Sequence, residues 1–268
     1  MSLDLADVIS GWECPAGELS ARVVVGPDGH ELVQLRVDLG VLQMYPDGRP
    51  DGALYHGLPT VVEYLQHELR VGRDAISGEH WQALDRELTQ LNHRRLAFAT
   101  VVEEALHRQA EDEARQYLLR VLRDVDLCQG ALRLLSEQRG SAGDHEQLWP
   151  TLVFNRARLL CQLRVLDEDY DGAIEAAEDG AVALADLLRE RGAEDDELAE
   201  DLGVLYLQEL AAQLRQQYQI ESTLREQLAE AIAHDDFEAA ADLHRKLDER
   251  AARRRATERF GPAPPNLN

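Results

Sequence analysis

The chain has 268 residues, with 28 Lys and Arg against 51 Asp and Glu and a formal charge of −23. That length suits one large domain or two modest ones. The charge argues against general binding to phosphate backbones, which needs many Lys and Arg contacts, so direct contact with nucleic acid is not expected.

Residues 1 to about 60 carry the β signals. Ala21-Arg22-Val23-Val24-Val25 is β-branched, Pro27-Asp28-Gly29 is turn chemistry, and Leu32, Val33, Leu35, Val37 and Leu39 follow. Two β runs around such a turn predict a hairpin, and Val41 to Met44 offers an extension. The segment 45–52 holds Pro-Asp-Gly twice, which predicts two consecutive tight turns. It gathers Asp47, Arg49 and Asp51 on a stiff backbone, either as a ligand loop or as plain punctuation before the helices.

From residue 61 the apolar period becomes helical. Val61 to Leu69 predicts a short helix ending near Gly72, and Trp81 to Leu106 a long one. Ala114 to Leu135 continues the pattern until the break at Gly140-Ser141-Ala142-Gly143. Leu148 to Leu166 and Ala173 to Leu188 predict a second helical pair. Residues 151–187 resemble a tetratricopeptide-type unit, with Leu152, Asn155, Leu159 and Leu160 on its first helix and Ala177 on its second. Such units bury their faces by stacking, and two hairpins of an ordinary bundle would read similarly. Beyond Gly203, Leu205 to Ala231 recur at three- and four-residue steps, which predicts one helix over 196–234, roughly 58 Å long. Only Ile220 to Thr223 hints at a break. The stripe on that helix is expected to be too long for the domain to cover, so a homodimer through residues 205–255 is expected to bury it. Arg250 to Arg259 form a small basic run on an acidic body, suited to a helix C-terminus.

Leu224-Arg225-Glu226-Gln227-Leu228-Ala229-Glu230-Ala231, a short link, and Asp236-Phe237-Glu238-Ala239-Ala240-Ala241-Asp242-Leu243, ending near Leu247, make the most specific segment. It resembles the UVR motif, the helical hairpin at the end of the UvrB subunit of the bacterial excision nuclease. The motif also occurs within UvrC, in Clp-protease regulators and in Clp ATPases. This chain departs from it with Asp235 where Leu is usual, and with His244-Arg245 where Arg-Asp is usual. The resemblance implies a protein-docking element without chemistry, in repair or in Clp-type protease regulation. Its implied contact residues are Leu224, Leu228, Ala231, Phe237, Glu238, Ala240, Ala241, Leu243 and Leu247, with Phe237 closing the hairpin on Leu224 and Leu228. Residues 8–60 resemble the N-terminal region of uncharacterised bacterial proteins that also end in a UVR motif.

A second chemistry competes. Asp167-Glu168-Asp169-Tyr170-Asp171-Gly172-Ala173-Ile174-Glu175-Ala176-Ala177-Glu178 places acids at 1, 3, 5 and 12 and Gly at 6, as in a calcium-binding EF-hand loop. The same letters fit a helix start with Asp171 near its cap. No GxSxG, HExxH, P-loop or GxGxxG occurs. Cys14, Cys128 and Cys161 lie far apart with no His at ligand spacing, so neither a disulfide framework nor a metal site is read. A reducing cytoplasm is the expected home. No apolar stretch approaches the ~18 residues of a membrane span.

The expected architecture is mainly α, with four segments: a small β unit (1–60), tetratricopeptide-like helical hairpins (61–195), a long helix with the UVR-like hairpin (196–259), and a disordered tail (260–268). The expected function is a non-enzymatic adaptor or scaffold without cofactor, which docks a protein through the hairpin. The alternative is a calcium-binding regulator using 167–178.

Overall fold

The computed structural model describes residues 5–15, 17–38, 40–72 and 77–259. Leu39, the tail 260–268 and the side chain of Arg259 lie outside the described residues. The fold is mainly α with a small N-terminal antiparallel sheet. Two compact units meet in sequence between Glu146 and Gln147, whereas apolar period and turn residues placed divisions at 60 and 195.

In the first unit, β1 (Ser20–Val25), β2 (Glu31–Val37) and β3 (Gly40–Met44) pair in sequence order, with Val23 opposite Val33 and Leu35 opposite Leu42. The Pro27-Asp28-Gly29 turn forms as read: Gly29 adopts φ 82°, and the Asp28 carboxylate accepts from His30 N at 3.1 Å. Ala21, Val33 and Leu35 are buried, and α3 (Gly78–His107) packs on β1 and β2. Gln34, buried among the strands, accepts from Arg22 and donates to Gln43, so its amide is not left unpaired.

Helix α3 runs against α4 (Glu111–Arg139), with α2 (Val61–Arg70) beside them. Leu84, Leu88, Leu91 and Phe98 of α3, with Leu118, Val125 and Leu132 of α4, are almost fully buried at helical spacing. Gly140 ends α4 in the left-handed conformation. A charged side chain lies among these residues. Arg94 is buried completely, donates from Nε and Nη2 to Asp124 at 2.8 and 2.7 Å, and donates from Nη1 to the carbonyls of Tyr45 and Gly48. It thereby joins α3, α4 and the 45–52 loop.

The second unit holds α5 (Leu148–Leu166), α6 (Tyr170–Glu190), α7 (Asp195–Glu200), α8 (Leu202–Tyr218), α9 (Leu224–Ala233) and α10 (Phe237–Arg259). Helices α5, α6 and α8 share two apolar clusters, one around Ile174, Ala177 and Leu214 and one around Ala157, Leu184 and Leu207. Gly180 is required there, because a Cβ would collide with that of Ala157 on the facing helix.

The single helix expected over 196–234 is interrupted twice. Asp201 turns the chain and caps α8 by accepting from Gly203 N and Val204 N. Gln219, at φ 54°, ends α8, and Thr223 with Glu226 forms a capping box that starts α9. The apolar period was continuous, but these local side-chain bonds outcompete helix continuation. Nor is the stripe uncovered, as expected from the sequence. Val204, Leu207, Ala211 and Leu214 are buried against α5 and α6, leaving Leu202, Leu205 and Tyr206 exposed.

Removing one partner of a fully buried ion pair strands the other charge. Asp124→Ala is therefore expected to destabilise the first unit by about 3–5 kcal/mol, read from urea unfolding.

Candidate functional site

Helices α9 and α10 form the hairpin read from the sequence. Leu224, Leu228, Ala231, Ala240 and Leu247 are half-buried, and Leu243 is 9% exposed. Their three- and four-residue spacing marks the faces that the packed pair turns inward. Phe237 is a correction. It does not close the hairpin on Leu224 and Leu228 but stands 76% exposed at the start of α10, with Ile232 at 59% just across the link. Glu238 and Ala241 are exposed as well. The reason is local. Asp235 adopts φ 55°, and Asp236 accepts from Ala239 N as a helix cap, so the link is built by polar groups and needs no apolar closure.

The root of the hairpin rests on the acidic segment that opens α6. Asp169 caps α6 by accepting from Gly172 N, and its other oxygen receives Arg254 at 2.6 Å. Arg250 donates to Glu175. Asp171 does not cap α6, as expected, but accepts from Leu224 N at 2.8 Å and so caps α9. Arg225 reaches Asp179 at 2.8 Å. Arg215 of α8 bridges Glu178 and Glu226, both at 2.7 Å. Those bonds raise the Arg215 pKa further, and in turn hold the Glu226 carboxyl below its ordinary range. A cavity of about 420 Å³ remains among Tyr170, Asp171, Leu224, Arg250, Arg253 and Arg254.

The EF-hand-like letters thus have another use. Tyr170 to Glu178 lie in α6, where a helical backbone does not wrap an ion; Glu175 and Glu178 accept from Arg250 and Arg215, and Asp171 from Leu224 N. Gly172, the glycine of that pattern, is buried, and a Cβ there would collide with Arg254 Nη2 and the Asp169 carboxylate. Sequence reading noted the acids at 167–178 and the arginines at 250–259 separately. Their opposite signs were the available signal, but some seventy residues separate them, and only folding pairs them.

The other candidate loop, in the first unit, is held from within. Arg49 pairs with Asp51 at 2.7 Å, Asp47 with Arg123, and Arg94 fixes the backbone beneath. Glu87 of α3, fully buried, accepts from Val61 N at 2.9 and 2.8 Å and so caps α2 from outside. Beside it lies a ring cluster that sequence reading missed, because its members come from three separate segments. His56 stacks on Tyr64 at 4.6 Å, Tyr55 O–H bonds His80 Nδ1 at 2.6 Å, and Arg49 lies over the Tyr55 ring.

Burial raises the Glu87 pKa, outweighing the bonds from Val61 and Val62 that lower it. Below the ordinary carboxylate value both folded and unfolded states hold the proton. As pH rises from there through the raised value, the unfolded chain releases its proton first, and stability falls. Thermal midpoints compared across this range are expected to show wild type losing ground to Glu87→Gln as pH increases. No family model, curated protein or solved structure matches this chain.

Proposed function

We propose that the protein is a non-enzymatic adaptor that docks a protein partner through the tip of the α9/α10 hairpin, and that the first such partner is a second copy of the chain. The observation that carries this reading is the exposure of Phe237. A phenylalanine 76% exposed beside an exposed Ile232 is an apolar anchor with no cover in the monomer. The inner face of the hairpin is occupied by its own two helices, so the tip is the part left to bind. A two-fold contact lets one such tip serve both copies.

The resemblance of 224–247 to the UVR motif supports the same role, in a cytoplasmic setting linked to repair or to Clp-type proteolysis. Charge supports it too. A chain with a net charge of −23 repels its copy, while the outer face of α10 alternates Asp242, Arg245, Lys246 and Glu249, bridged along the helix. The helical pairs α3/α4 and α5/α6 then act as the scaffold, in the tetratricopeptide-like manner read from 151–187.

Light scattering on the full chain tests the reading. Wild type is expected to be dimeric. Phe237→Asp is expected to weaken association by about 2 kcal/mol or more, roughly 30-fold in Kd, with helix content unchanged. A monomeric wild type, or a dimer indifferent to the substitution, would sink it.

A further inference from the structure

We infer that residues 167–179 are an internal seat for the hairpin, and that the hairpin is a strap that undocks from α6 when its arginine–carboxylate pairs are screened. The helices beneath keep their fold. This deepens the docking reading by assigning its regulation, and rests on that reading only for its biological meaning.

Three features carry it. First, away from its exposed tip at Ile232 and Phe237 the hairpin is internally closed: Leu228, Ala231, Ala240, Leu243 and Leu247 turn inward, while its described side-chain bonds to α6 are polar. Arg254 meets Asp169, Arg250 meets Glu175, Arg225 meets Asp179, and Leu224 N meets Asp171. Second, α5, α6 and α8, with Ile220 of the link packed on them, own separate apolar clusters to which α9 and α10 contribute no residue. Releasing the hairpin leaves those clusters whole. Third, the connection from α8 is non-helical, from Gln219 in the left-handed region through Ser222, and ends at the Thr223 cap that starts α9 afresh. A hairpin that carries its own cap and core can swing about such a link as a body.

The seat is shaped for this cation. Gly172 leaves room for the Arg254 guanidinium beside Asp169, which a Cβ would deny it. Polar attachment has a physical consequence that apolar attachment lacks: it weakens with ionic strength. In the docked state the tip projects in one direction. Released, it sweeps a volume and uncovers the acids of α6 together with the basic face of α10.

The test measures distance within one full-length chain. Spin labels go on Gln208→Cys of α8 and Ala241→Cys of α10, both exposed positions, in a Cys14→Ser background diluted with unlabelled chain. Cys128 and Cys161 are buried, with thiol pKa values pushed up to about 12 by desolvation, so they escape labelling. One narrow distance is expected at low salt. It is expected to be lost at about 1 M salt, where the screening length falls to about 3 Å, while the helical circular dichroism stays constant. Gly172→Ala, which expels Arg254 from a position helices accept, is expected to lose the narrow distance already at low salt.

A distance that stays narrow under either condition overturns the inference, and so does broadening accompanied by loss of helix. Repeating the measurement in the Phe237→Asp chain separates the two ideas. Failed self-association leaves the intramolecular distance and its salt response in place.

Discussion

A guanidinium withdrawn from water must be met by acceptors on every side, and Arg94 meets that demand by drawing three parts of the chain together. Its fork takes the Asp124 carboxylate from α4, and its remaining nitrogen takes two carbonyls of the 45–52 loop. Each acceptor alone would cost energy to bury, and so would the arginine. Together they fix the register of α3 against α4 and hold the double turn in place. Glu87, two turns earlier on the same face of α3, does the same in reverse by supplying a buried carboxylate to the amides that open α2.

The same chemistry recurs in the second unit with a different outcome. Around Asp169 and Glu175 the arginines arrive from α10, and the outer one retains contact with solvent: the Arg254 side chain is 26% exposed, against 11% for Arg250 on the buried Glu175. A pair sealed like Arg94 and Asp124 is a structural constraint, insensitive to salt. A pair open to water is a reversible fastening. The chain has few aromatic residues with which to glue one element to another, at 5% of its length. Arginine, with a long apolar stem and a planar fork, takes much of that role.

Legibility in the sequence followed the range of the interaction. Helix and strand positions were readable because apolar spacing and turn residues act over a few positions, as at Pro27-Asp28-Gly29 and Val61 to Leu69. The inner face of the hairpin was readable for the same reason, from Leu224, Leu228, Ala240, Leu243 and Leu247. Phe237 was misplaced, because whether a large apolar residue faces in or out depends on the geometry of its link, and Asp235 and Asp236 set that geometry with polar bonds. The long helix was broken for a related reason. Asp201 and Thr223 are ordinary polar letters in a helical window until their side chains fold back on the backbone.

What the sequence determined by itself was the alphabet of elements: a β-hairpin with an extension offered at 41–44, then helices, with an acidic segment and a basic terminal run lying far apart. These follow from local periodicity and composition, which need no knowledge of what a residue will touch. The tertiary structure decided which charges meet. It converted letters that spell a calcium loop into the caps of two helices and the seat of a third, and it turned Phe237 to solvent. Pairing across some eighty residues, as between Asp169 and Arg254, is set by how α6 and α10 are placed by every contact between them, and no local pattern carries that information.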